Sequence, residues 1–257
     1  MEPIHVCQKD QLSVKVFSSR QQMGAAAAEE VIQQLKALLQ QKTTVNMMFA
    51  AAPSQAEFLD ALVNQEGIDW SRVQAFHLDE YVGLRPDQPQ RFGEFLNQHI
   101  FKQVPFKAVH YIDSDAEEAQ ESILSQYSQL LRDNPLDIAC IGIGENGHIA
   151  FNDPHVANFA DPEIIKVVDL DLTCRNQQVN DGCFASLDEV PQQAFTVSIP
   201  TILSADYIYC MVPAATKAAA VTTSLTGEIA PACPASVLRT HQRCQLYLDA
   251  EAGSGIL

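Results

Sequence analysis

Short apolar runs of strand length alternate with longer helical patterns along most of this 257-residue chain, and few folds accommodate that alternation. The runs lie at roughly 12–18, 44–51, 73–78, 136–143, 194–199, 206–212 and 244–248. The helical patterns lie at roughly 20–41, 54–64, 90–102, 115–133, 214–225 and 234–240. In the first of these, Ser18-Ser19 offers a cap, Ala25 to Ala28 are strong helix formers, and Val31, Leu35 and Leu38 recur at helical spacing. Strands joined through helices return to the same end of a sheet and pair in parallel. The sequence therefore predicts an α/β fold, a doubly wound and mainly parallel sheet with helices on both faces, three layers deep in the Rossmann-like manner. No linker divides the chain, so residues 1–257 are expected to form a single domain.

Charge narrows the function. Sixteen basic against thirty-two acidic residues give a net charge of -16 and a pI near 4.6, which argues against a nucleic-acid or anionic-membrane partner. The first ten residues lack an apolar core of signal-peptide length, and no stretch approaches the ~18 apolar residues of a membrane span. A cytoplasmic protein is expected, with self-association into a homo-oligomer left open. Seven cysteines are scattered without a Cys-x-x-Cys pair, which predicts reduced thiols and no structural zinc. Cys183, beside Gly182, is the one thiol considered near a ligand, and an inert side chain is the plainer reading.

Four segments at the carboxyl ends of predicted strands carry residues capable of chemistry, and ligands of open α/β sheets bind at that edge. Behind the apolar run Leu136 to Ile143, the stretch Gly142-Ile-Gly-Glu-Asn-Gly-His148-Ile-Ala-Phe-Asn-Asp153 combines three glycines, one imidazole and a carboxylate. His148 can titrate near neutral pH, Asp153 can fix its tautomer, and Gly144 lets backbone approach a ligand. The structural alternative is a loop histidine with one local hydrogen bond. Asp79-Glu80 follows the run Val73 to Leu78 and offers a second proton-transfer group of different type, or else a turn and a solvated acid. His77, inside that run, reads as a core or interstrand residue. Ser54 and Gln55, after Thr44 to Phe49 and a small-residue turn, stand where a helix N-terminus can hold phosphate, although Pro53 removes one amide donor. Lys217, after Tyr207 to Val212, and Arg175 are the candidate phosphate cations, each with a solvated surface role as the alternative. No His-x-His or His-x-x-x-His spacing supports a metal site.

The two motifs Phe76-His-Leu-Asp-Glu-Tyr-Val-Gly-Leu84 and Gly142 to Pro154 together resemble the glucosamine-6-phosphate deaminase family, with matching element order from about residue 10 to 250. The related 6-phosphogluconolactonases share the glycine-histidine core but differ at Ile149-Ala-Phe-Asn-Asp153. The resemblance implies conversion of glucosamine 6-phosphate to fructose 6-phosphate and ammonia, without metal or organic cofactor. It assigns ring opening to His148 supported by Asp153, abstraction of the C2 proton to Asp79, phosphate binding to Lys217, and a phosphate loop containing Ser54. A lactonase acting through His148, and a sugar-phosphate sensor without turnover, are the alternatives. The chain departs from the family pattern at Ala52-Pro53-Ser54, where many relatives have Gly-Gly-Thr. Asn146 replaces an aspartate found in some relatives, and Asp153 replaces a glutamate. The expected phosphate arginine aligns near Gln178, so Arg175, one helical turn earlier, is the candidate substitute.

Overall fold

The computed structural model describes residues 1–85, 87–113 and 119–257. The main sheet is built from β1 (His5–Lys9), β2 (Leu12–Phe17), β3 (Val45–Phe49), β4 (Val73–His77), β6 (Ala108–His110), β7 (Ile138–Ile141), β10 (Tyr207–Val212) and β11 (Cys244–Asp249). Their spatial order is β1-β2-β11-β10-β7-β3-β4-β6, and every pairing is parallel except the β1-β2 hairpin at one edge. From β3 the chain steps outward to β4 and β6. It then returns to β7 beside β3 and steps the other way to β10 and β11, so the direction of winding reverses between β3 and β7.

The strands are apolar on both faces because both faces are covered. Met47, Phe49, Ile138, Cys140, Tyr209 and Met211 point into one core with Met23, Val31 and Leu35 of α1 (Arg20–Gln41) and Phe58 and Leu62 of α2 (Ala56–Val63). Leu96 of α3 (Phe92–Leu96) joins them. The alternate residues Met48, Ala139, Ile141, Ile208 and Cys210 point into the other core. There they meet Ile123 and Tyr127 of α4 (Gln120–Asp133), Ile202 of α6 (Ile199–Leu203) and Val221 of α7 (Ala218–Thr226). This period-2 division yields the three layers that the alternation of elements predicts. Ser19 caps α1, its side chain accepting from Gln22 N at 3.3 Å.

The run 194–199 is not in the main sheet. Its strand, β9 (Gln193–Val197), lies between β5 (Asp79–Tyr81) and β8 (Ile165–Asp169) in a separate antiparallel sheet of three. An apolar run specifies a buried strand but not which sheet receives it. Strands β1, β5, β6 and β8 are also absent from the sequence expectation, being short or interrupted by polar residues. The helical patterns at 54–64 and 214–225 open with single 3₁₀ turns, Pro53–Gln55 and Ala215–Lys217, and 234–240 is 3₁₀ throughout. The pattern at 90–102 divides into α3 and a π-helical turn, Asn97–Phe101. Residues 115–118 of the fourth predicted helix lie outside the described residues.

Candidate active site

An open cleft of about 490 Å³ lies where the winding reverses. Its walls come from the segments leaving β3 (Ala50 to Gln55), β4 (Leu78, Asp79) and β7 (Gly142 to His148), with Phe92, Phe151, Gln177 and Gln178 completing them. Parallel neighbours that diverge in connectivity leave such a crevice at their carboxyl ends, so topology alone predicts a ligand site here.

The imidazole of His148 is fixed by a dense network. Its Nδ1 lies 2.8 Å from Asn146 Oδ1 and 3.0 Å from Asp153 Oδ1. Asn146 Oδ1 also accepts from the His148 backbone N at 3.0 Å, and its amide nitrogen donates to Asp153 Oδ1 at 2.9 Å. Both neighbours of Nδ1 are acceptors, so Nδ1 carries a proton, and Nε2 has no hydrogen-bond partner among the described residues. Nε2 lies against Gly144, where an added Cβ would come within 2.0 Å of it. Gly147 turns the loop at φ +85. Asp153 is fully buried, which raises its pKa, but the His148 contact, the Asn146 amide and the Asp171 backbone N–H together hold it below its ordinary value. The shorter side chain at 153 therefore still reaches the imidazole, and Asn146, although uncharged, aligns it.

Asp79 faces the same cleft from the start of β5. Burial, reinforced by the neighbouring Glu80 charge, pushes its pKa well above the ordinary carboxylate range. Its backbone is held from behind by His77, whose Nδ1 donates to Asp79 O at 2.9 Å while Nε2 accepts from Ile112 N at 2.8 Å. Burial lowers the His77 pKa to about 4, so this interstrand ring is neutral. Glu80 is no solvated acid: fully buried, it accepts from Tyr81 N, Phe92 N and Gly93 N at 3.0–3.1 Å and so anchors the start of α3 at the cleft rim.

Strands β4 and β7 are not neighbours, since β3 separates them. What brings Asp79 and His148 together is the small sheet. Thr196 of β9 pairs with Asp79, and its Oγ1 accepts from Phe151 N at 3.0 Å. Asn152 donates to Ile149 O and Val197 O, both at 2.9 Å. The histidine loop is thus fastened to the sheet that carries the carboxylate. Sequence reasoning missed Thr196 and Gln177 and gave Glu80 and Asn152 no anchoring role, and threonine inside an apolar run gives no signal beyond ordinary strand propensity.

The candidate anion ligands fare differently. Ser54 and Gln55 line the cleft, and Gln55 Nε2 arches over Gly142 to donate to Met211 O at 3.1 Å. Gln55 N is already committed to Ala52 O at 2.8 Å, which weakens the turn as an amide cradle. Arg175 is not brought to the cleft: its Nη2 donates to Leu187 O at 2.7 Å and Val190 O at 2.8 Å, tying down the chain after α5 (Leu172–Asn180). The helical turn from 175 to 178 instead aims Gln177 and Gln178 inward. Lys217 is no surface residue but is 4% exposed, and its Nζ has no hydrogen-bond partner among the described residues. Burial lowers its pKa, opposed by the charges of Asp181 and Glu145. Lys217 is not among the described residues that line the cleft; Gln177, which does line it, accepts from Glu145 N at 2.8 Å and donates to Asp181 at 3.3 Å, the two acids whose charges act on the lysine. An unpaired buried ammonium is costly, and a bound anion would relieve it.

Ligand atoms of His148, Asp153 and Cys174 lie within 4.8 Å of one another, as do those of Asp153, His155 and Asp171. In the first grouping Asp153 Oδ1 lies 3.0 Å from His148 Nδ1, and burial raises the pKa of the Cys174 thiol well above its ordinary value, with the nearby Asp153 charge adding to the rise.

Residues 18–247 match the family model described as glucosamine-6-phosphate isomerases/6-phosphogluconolactonase. A glucosamine-6-phosphate deaminase of Streptococcus sanguinis is 34% identical over 215 residues, 84% of this chain and 88% of its own. One of Exiguobacterium sibiricum is 37% identical over 191 residues, 74% of this chain and 73% of its own. A solved monomeric glucosamine-6-phosphate deaminase superimposes with TM-score 0.84 at 27% identity, over 94% of this chain and 99% of that one. A 6-phosphogluconolactonase of Thermotoga maritima shares the fold, with TM-score 0.74 at 18% identity over 93% and 99%.

Proposed function

The chain belongs to the glucosamine-6-phosphate isomerase/6-phosphogluconolactonase family, and from that membership we propose that it is a cytoplasmic glucosamine-6-phosphate deaminase. The observation that carries the reading is one cleft presenting two proton-transfer groups of different type, a buried carboxylate and an imidazole with a free Nε2. His148 Nε2 takes the O1 proton of the pyranose and returns it to O5, opening the ring and revealing the C1 aldehyde. Its Nδ1 proton, shared between Asn146 and Asp153, stabilises the transient imidazolium. Asp79 then removes the C2 proton, now acidified by the aldehyde, as O1 takes up a proton lost by the C2 ammonium, and delivers the abstracted proton to C1 of the resulting enolamine to leave an iminium at C2. Its raised pKa makes the ionised carboxylate the stronger base. Water adds to the resulting C2 iminium and ammonia leaves, giving fructose 6-phosphate. The substrate's own carbonyl is the electron sink, so this route calls on no cofactor. Lys217 is assigned to the phosphate, with Ser54, Gln55, Gln177 and Gln178 as neutral partners in a cleft with no lysine or arginine among the described residues that line it.

Asp79→Asn is the decisive variant. It should bind glucosamine 6-phosphate within a fewfold of wild type by calorimetry while ammonia release falls by about 10² or more, the scale of general acid–base catalysis. Normal turnover by this variant, or wild-type hydrolysis of a phosphosugar lactone without ammonia release from the amino sugar, would sink the assignment.

A further inference from the structure

Asp171, at the N-terminus of α5, touches neither the cleft nor the imidazole, yet it closes the network behind both. Its Oδ1 accepts from Cys174 N at 2.6 Å, the ordinary duty of a helix cap. Its Oδ2 accepts from Asn146 Nδ2 at 3.0 Å, and its backbone N–H donates to Asp153 Oδ2 at 3.3 Å. Asn146 is thereby saturated: its two amide hydrogens go to Asp153 and Asp171, and its oxygen takes the backbone N–H and Nδ1–H of His148. An amide can be turned end for end at little steric cost, and only its partners decide which end faces the ring. Two carboxylates on one side of Asn146 demand the NH₂ there, and so deliver the oxygen to His148.

We infer that Asp171 is a positioning residue for His148, acting through Asn146. The inference rests on the assignment of His148 as the ring-opening group. The same carboxylate holds the start of the helix whose Gln177 and Gln178 line the cleft, so one side chain registers the imidazole and the polar wall against each other. Without Asp171, one of the two bonds on the NH₂ side is lost and Asn146 gains freedom to tilt. The hydrogen bond that protects Nδ1–H is then shared unevenly with Asp153, and Nε2 spends less time aimed over Gly144.

Two variants separate this role from capping. Serine and asparagine both cap helices well, so Asp171→Ser and Asp171→Asn keep the oxygen that Cys174 N needs. Serine is too short to reach Asn146, and asparagine with its oxygen on the cap turns an N–H toward the N–H of Asn146. Nuclear magnetic resonance of nitrogen-labelled histidine, on the ligand-free full chain, should show His148 protonated on Nδ1 in the wild type. In both variants exchange of that proton with solvent should accelerate about tenfold or more. Ammonia release should lose about tenfold or more in kcat, with KM within about twofold, because the change falls on proton transfer. Wild-type proton exchange and kcat in both variants would overturn the inference. So would a kcat loss that leaves Nδ1–H exchange untouched, or a wild-type ring protonated on Nε2. Absence of ammonia release by the wild type would refute the proposed function instead, and the resonance measurement would still decide the role of Asp171.

Discussion

Gly144 shows how much of this site depends on a missing atom. The imidazole occupies the space a Cβ would fill, so Gly144→Ala must displace either the ring or the loop. Ammonia release should fall by about 10² or more, as when a general acid–base group is lost. Circular dichroism should still report a folded chain; full activity would show that the ring works from another position. Asp79 illustrates the conflict between stability and function. Its folded pKa is raised by burial and by Glu80, so its favourable contribution is complete below the unfolded pKa and lost as pH rises through the folded one. Asp79→Asn should therefore unfold at higher temperature than wild type at pH 7, about 2–4 °C for each kcal/mol relieved in a chain of this size. The two melting curves should converge below about pH 4, where both side chains are neutral. Asp153 has the opposite sign: its pKa is depressed, so its stabilisation is present at neutral pH and fades as pH falls through the folded value. Both carboxylates and the histidine are visible as residue types after apolar runs, whereas the direction of each pKa is not. That direction depends on which donors fold back onto each oxygen.

Among the elements, the small sheet is the one that sequence periodicity misassigned and the one the site most requires. Thr196 of β9 gives its hydroxyl oxygen to Phe151 N, and that contact ties the histidine loop to the strand opposite Asp79. Thr196→Val keeps the shape and removes the acceptor, leaving a buried backbone N–H unpaired at a cost of about 1–3 kcal/mol. Chemical denaturation should register that loss, and kcat should fall more than KM rises. Equal effects on both would mean that the clamp shapes the cleft without setting the distance between its two groups. Helix α5 carries a comparable lesson. The chain offers Arg175 as the cation of that region, but helical spacing turns it onto the Leu187 and Val190 carbonyls and presents Gln177 and Gln178 to the cleft instead. A residue's charge can be read from the chain. Its azimuth on a helix can be read only once the helix is docked.

Over the whole molecule, the net charge of -16 opposes any dianionic substrate, and the described residues that line the cleft include no lysine or arginine to offset it. Raising ionic strength from about 10 to 150 mM shortens the Debye length to roughly 8 Å. If long-range repulsion governs encounter, kcat/KM for glucosamine 6-phosphate should rise with salt at constant pH. A fall would show that Lys217 dominates the field the substrate meets. The sequence by itself determined the three layers, the mainly parallel order and the sheet edge that bears the chemistry, because hydrophobic periodicity and crossover connections are local and nearly deterministic. It also determined, by two long motifs, which family the chain joins. Tertiary structure alone decided that β3 stands between the strands leading to Asp79 and His148, that a second sheet holds Asp79 against the His148 loop, that Arg175 turns away, and that Lys217 is buried without a hydrogen-bond partner among the described residues. These are matters of distance between residues far apart in the chain, and such distances follow from how whole elements pack, which no local pattern encodes.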